Sequence, residues 1–395
     1  MQFLKLLLEE KRIVQLGESG HGVAQFNQAK TRLIKFLHEE MGYDVIAFES
    51  GLFECFYSDA LIDSHSTAAE VMLQSIFGVW HTEEVKELFD YIIKTHQTDH
   101  PLHVSGFDVQ MSSFMGSILR PMIIRQTLGS MDKEFAERMA REDSIFVRTY
   151  GTSAYNAFLI TDRERMISVY DSIESFIDQH AEALENHVSI KNLPGVLKRT
   201  AWSMKETIHS HYTAISNMPL AIQIRDNGMA DNVDFLLGEL YSDKKIMIWA
   251  HNFHIRHDQP HVGGTTLDLP TMGYWIAQKH RTELYTIGLY MYRGNAAENN
   301  RQIYSIAQAA SGSLESILYR SRKKYLYIDL SQQEKINGNG WMFQAIQSKE
   351  WGQTDVTMIH QAQYDGILFI YEVTPPVYLN LNSGNRYGPQ NLLTE

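Results

Sequence analysis

Seven short runs of largely apolar residues, at 12–16, 44–49, 102–108, 245–249, 284–290, 325–330 and 366–371, constrain the fold of this 395-residue chain more than any other feature. Arg12-Ile13-Val14-Gln15-Leu16 and Asp44-Val45-Ile46-Ala47-Phe48-Glu49 lack the alternation of a half-exposed strand, so both faces of each must be covered. Helical patterns separate several of these runs. Around 29–41, Leu33, Ile34, Leu37 and Met41 share one face, and further helical segments read at 68–76 and 82–95, the second with Thr82 as N-cap. The implied class is α/β, a mostly parallel central sheet flanked by helices. From about 111 to 243 no strand is legible, and the charge patterns at 132–143 and 161–187 are helical. Such a span is far longer than a crossover between parallel strands needs. It is expected to be a helical insertion capping the sheet within a single domain covering 1–395. The polar stretches 293–300 and 337–341 are expected as loops around a cleft, and the tail after Pro376 has no strong pattern.

Composition narrows the function classes. With 44 % hydrophobic and 21 % charged residues the chain is an ordinary globular one, and its net charge of −12 argues against nucleic acid as a partner. Cys55 is the only cysteine, which rules out an intrachain disulfide and a cysteine-based zinc site. The opening Met1-Gln2-Phe3-Leu4-Lys5-Leu6-Leu7-Leu8 is too short for a signal peptide and reads as the end of an amphipathic helix. No apolar run suggests a membrane span, so a soluble, cytoplasmic protein is expected. The first strand follows almost at once, which leaves room for a longer natural N-terminus.

Four of the apolar runs end in ionisable residues. After 12–16 comes Gly17-Glu18-Ser19-Gly20-His21-Gly22; the next two runs end in Glu49 and Asp108; after 245–249 come His251 and His254. Sites in parallel sheets form at the carboxyl ends of strands. One acid there is usually a cap, but four such endings with three histidines point to an active site. A carboxylate-oriented imidazole can deprotonate water, and a second imidazole or an ammonium can stabilise an oxyanion, which suffices to hydrolyse an ester without a covalent intermediate. Lys30, at the edge of the apolar face of its helix, can aim its ammonium at the loop. Arg225, Met229 and Asn232 recur on one side of a later helix, whose polar edge can face the site. Two rival chemistries stay open. Ser19 could be a nucleophile, although Gly-Glu-Ser-Gly-His is not the Gly-x-Ser-x-Gly elbow. The histidines and carboxylates could also bind a divalent metal, with His251 and His254 sharing one ion.

These residues resemble the erythromycin esterase family. Gly-Glu-Ser-Gly-His-Gly is similar to its Gly-Glu-x-x-His-Gly opening. The likeness runs on through the Leu-Ile-Lys-Phe-Leu helix, Ala47-Phe48-Glu49, Trp80–Glu84, Gly106-Phe107-Asp108, Arg225–Asn232, Trp249–His254 and Met272-Gly273. The resemblance implies hydrolysis of a small-molecule ester or macrolactone by histidine-activated water, with no cofactor and no required metal. His21 would be the general base, held by Glu18 or Glu49, and His251 and His254 would polarise the carbonyl or assist the leaving oxygen. Lys30 stands where macrolide-cleaving members carry arginine and would serve the oxyanion. Trp80, Asp108, Arg225 and Asn232 would contact substrate. Many members are labelled after succinoglycan biosynthesis, so the substrate does not follow. A metal-assisted hydrolase of a polysaccharide substituent or phosphoester, and a non-enzymatic ligand-binding protein, are the alternatives.

Overall fold

The computed structural model describes residues 2–113 and 115–380. Its strands are β1 (Ile13–Leu16), β2 (Tyr43–Gly51), β3 (His103–Asp108), β4 (Lys245–Trp249), β5 (Leu284–Ala297), β6 (Ile303–Ser305), β7 (Tyr325–Asp329), β8 (Ile346–Glu350), β9 (Thr354–Met358) and β10 (Gly366–Val373). The chain divides into two compact units. One holds residues up to Ala47 with Val79–Leu102 and Asp243–Leu379; the other holds Phe48–Gly78 and His103–Ser242. Among the described residues no helix is long and apolar enough to cross a membrane. Residues 381–395 of the unpatterned tail lie outside the described residues.

In the first unit β1 pairs in parallel with β4 on one side and β5 on the other. All four of its residues are buried, as an unbroken apolar run requires. Its one polar member, Gln15, accepts a hydrogen bond from Thr286 at 2.8 Å. β10 extends the sheet in parallel beyond β5, and β7 closes it antiparallel to β10. β4 has β2 as its other neighbour, and β2 has β3. The sheet is thus mostly parallel, with helices such as Ala24–Met41 packed on it. That helix starts five residues before its legible apolar stripe, because the polar-looking Ala24–Gln28 turn buries Phe26 and Asn27. It ends at Gly42, whose φ of +68° supplies the left-handed cap. Thr82 caps the helix Glu83–Thr95 as expected, accepting the Val85 N–H.

One expectation needs correction and one element was not anticipated. The stretch at 293–300 is largely strand, because β5 continues to Ala297, pairing there with β6. From Tyr292 to Asn295 its residues alternate between half-buried and exposed, so the apolar signal stops before the strand does. The β8–β9 hairpin was also illegible, its residues being mainly polar.

The second unit is helical from Met115 to Leu240, with no strand among the described residues after β3. Its bundle is fastened by a buried ion pair. Arg120 holds Asp143 through two hydrogen bonds of 2.8 and 3.1 Å, and the Tyr170 hydroxyl donates to the same carboxylate at 2.8 Å. These three residues come from three successive helices.

The carboxyl end of β1 is fixed by backbone contacts. Gly17 and Ser19 donate to the Ile287 and Leu289 carbonyls of β5. Asn252, just after β4, donates to Leu289 O at 3.0 Å, accepts its N–H at 3.2 Å, and gives its own N–H to Glu18 O at 2.8 Å. A Cβ on Gly17 would collide with the Asn252 amide oxygen, and one on Gly22 with the Ala297 carbonyl. Gly17→Ala is therefore expected to cost about 1–3 kcal/mol, the usual range for overpacking. Urea denaturation measures this, and a wild-type midpoint would show that Asn252 moves aside freely.

Candidate active site

Glu18 is fully buried at the carboxyl end of β1. An ionised carboxylate there requires donors, and three elements supply them. Oε1 accepts from His21 Nδ1 at 2.6 Å and from the Trp80 indole N–H at 3.0 Å, and Oε2 accepts from Lys30 Nζ at 2.7 Å. Burial pushes the Glu18 carboxyl up, but the Lys30 ammonium and the His21 and Lys30 hydrogen bonds outweigh it and hold it below its ordinary value of 4.5. Two predicted roles shift accordingly. Lys30 is wholly buried, with its ammonium on Glu18 and 4.4 Å above the Trp249 ring, rather than aimed at a reacting carbonyl. Trp80, expected against substrate, is 1 % exposed and orients Glu18.

The two histidine-bearing turns meet. The His21 and His251 ring centroids are 5.2 Å apart, and the rings of Trp80 and Trp351 stand edge-on to His21 at 5.3 and 5.2 Å. Hydrogen bonds assign the tautomers. With Nδ1 donating to the ionised Glu18, neutral His21 keeps its lone pair on Nε2. His251 is the opposite case: its Nδ1 accepts the Phe253 N–H at 3.2 Å, so its proton sits on Nε2. In these tautomers one ring presents an acceptor at Nε2 and the other a donor. His254, on the same short helix Asn252–Ile255, is buried with its ring edge-on to Phe253. The Ser19 hydroxyl is buried and lacks a hydrogen-bond partner, so no base activates it. Among the described residues, no three histidine or carboxylate ligand atoms at this site lie within 4.8 Å of one another.

The other predicted residues gather in the second unit. Arg225 reaches Asp108 through two nitrogens at 2.6 and 3.2 Å and Glu49 at 2.9 Å. Burial disfavours its charge, but Asp108 and Glu49 outweigh that and hold the guanidinium firmly protonated. Asn232 gives its amide to the Phe107 carbonyl at 2.9 Å and accepts from Arg199 at 2.6 Å, fastening its helix Met218–Phe235 to β3. Beside this cluster lies His211, which burial and Arg225 push down to about 4, leaving it neutral. The Tyr155 hydroxyl and Gln110 flank its ring.

Sequence reasoning missed His211, Glu350 and Trp351. Trp351 stacks on His251 at 5.2 Å, and Glu350 lies 3.9 Å from His251 Nε2. Both follow from a hairpin more than 320 residues beyond His21, with no local motif to flag them.

Known proteins share this architecture. The model of the erythromycin esterase family matches residues 38–373. The chain is 30 % identical over 397 residues to a Bacillus subtilis (strain 168) protein named "Putative hydrolase YbfO", covering 96 % of this chain and 87 % of that one. It is 23 % identical over 310 residues to erythromycin esterase type II of Escherichia coli, covering 74 % and 72 %. Among solved structures, a Bacillus cereus protein superposes with a TM-score of 0.78 at 17 % identity, covering 96 % of this chain and 93 % of that one. A mutant of the erythromycin esterase EreC in its open conformation gives 0.72 at 17 % identity, covering 96 % and 95 %. At such identities the structures establish the fold.

Lys30→Met leaves Glu18 buried without its cation, and is expected to cost about 3–5 kcal/mol at pH 7. In the wild type Glu18 is depressed, so its ionisation contributes stability above pH 4.5 that fades as pH falls further. In the variant burial dominates and raises Glu18, so the deficit should shrink between pH 7 and pH 5. Urea denaturation at both values checks this; a deficit independent of pH would show that Lys30 does not hold the charge of Glu18.

Proposed function

The chain belongs to the erythromycin esterase family, and on that premise we propose that it is a hydrolase cleaving a carboxylic ester or lactone with water activated by His21. The observation that carries this reading is the opposed tautomers of two adjacent imidazoles, His21 with a free lone pair on Nε2 and His251 with a proton there. A hydrolytic site needs one group to take a proton from water and another to meet the oxyanion.

In the proposed reaction the water oxygen bonds to the carbonyl carbon while its proton passes to His21 Nε2. The carbonyl π pair moves onto oxygen, where the His251 Nε2–H donates. Glu18, kept ionised by Lys30 and oriented by Trp80, stabilises the imidazolium that forms and fixes its plane. Collapse of the tetrahedral intermediate breaks the bond to the alcohol oxygen, which takes the proton back from His21. An acyclic ester yields an acid and an alcohol; a lactone opens with the gain of one water. Lys30 acts through Glu18 in this scheme. The names of the relatives make macrolides the first substrates to try, beside simpler esters.

Mass spectrometry of macrolides and an ester panel incubated with metal-stripped protein should show the gain of one water. His21→Ala should lower kcat by about 10²–10⁴, the usual share of a general base, with the melting temperature preserved. Wild-type turnover in that variant would overturn the assignment of His21.

A further inference from the structure

The tip of the β8–β9 hairpin is built in an unfavourable way. Gln353 N–H donates to Glu350 O at 2.9 Å, closing a β-turn whose central residues, Trp351 and Gly352, have φ of +54° and +67°. Glycine, asparagine and aspartate suit such positions, whereas a bulky residue at positive φ is an outlier. Strain of this kind persists where the surroundings over-determine it, commonly at functional sites.

What the outlier accomplishes is visible in its contacts. Trp351 N–H donates to the Ser19 carbonyl at 2.6 Å, between the two ionisable residues of the β1 loop. Its indole lies nearly parallel to His251, with 22° between planes, and nearly perpendicular to His21, at 80°, each at 5.2 Å. A Cβ on Gly20 would come within 3.3 Å of the indole, so the glycine leaves room for it. Its neighbour Glu350 reaches both Arg256 and His251. Arg256 is itself buried and also donates to Tyr364 and Gln259, each at 3.0 Å, which anchors the carboxylate.

We propose that the Glu350–Trp351 turn belongs to the active site as a positioning element: Trp351 fixes the ring planes of His21 and His251 against one another, and Glu350, anchored by Arg256, keeps a carboxylate 3.9 Å from the His251 donor edge, where it favours the Nε2–H tautomer without taking its hydrogen bond. This rests on the reading of the two histidines as base and donor. The strained backbone is then the consequence of seating an indole where the turn alone would favour asparagine.

The test compares Trp351→Asn, which suits the turn but removes the indole, with Trp351→Phe, which keeps a flat ring. Two readouts are needed, turnover and the ¹⁵N spectra of the histidine rings, which report tautomer and ring order without any substrate. Trp351→Asn should melt within a few degrees of wild type, lose the single-tautomer signals of His21 and His251, and lower kcat at least about thirtyfold with little change in KM. Trp351→Phe should restore most of both. Wild-type ring spectra in a Trp351→Asn protein that melts far lower would make Trp351 a packing residue and overturn the proposal. If turnover instead survives His21→Ala, the hydrolytic reading fails, and the ring spectra alone decide whether the turn positions the histidines.

Discussion

A single buried carboxylate organises the first unit. Ionised Glu18 is tolerable away from water only because three donors reach it, and each comes from a different piece of chain: the loop after β1, the helix Ala24–Met41, and the short turn Gly78–Trp80. Desolvating such a group costs several kcal/mol, which the Lys30 pair and the hydrogen bonds offset only in good geometry. The same requirement that keeps Glu18 charged fixes the plane and tautomer of His21. The hydrogen bonds that make the buried charge tolerable are thus the ones that orient the imidazole.

The backbone underneath is equally constrained. Gly17 is a glycine because the Asn252 amide occupies the space of its side chain, and that amide in turn replaces strand pairing between Asn252 and Leu289. The loop carrying His21 and the turn carrying His251 are therefore referenced to the same residue of β5. Registering both to one strand fixes the separation of the two imidazoles, whose ring centroids lie 5.2 Å apart.

Much of this was legible. Apolar runs without alternation located β1, β2, β3 and β4, and the ionisable residues at their ends included Glu18, His21, Glu49, Asp108 and His251. The roles of Lys30 and Trp80 were not, because a helix face or a tryptophan in a capping segment does not say which buried carboxylate it will meet. Trp351 and Glu350 were hidden for another reason. Their hairpin is polar and short, so its strands carry no period-two signal strong enough to read, and its contact with the β1 loop is purely tertiary. The strain at Trp351, of order 1–3 kcal/mol, exists only in the folded backbone.

The position of β1 in the sheet has a consequence for how the chain is made. It precedes its partners in the chain, it is buried on both faces, and both its edges pair with strands that begin more than 230 residues later. At roughly 5–20 residues per second, a nascent chain waits on the order of 10–50 s before β1 has its first partner. Throughout that interval an uncovered strand edge is available to any neighbour, which is the condition under which chains aggregate or engage chaperones. A sheet whose central strand precedes both of its partners in the chain thus sets its own demand on the machinery that produces it.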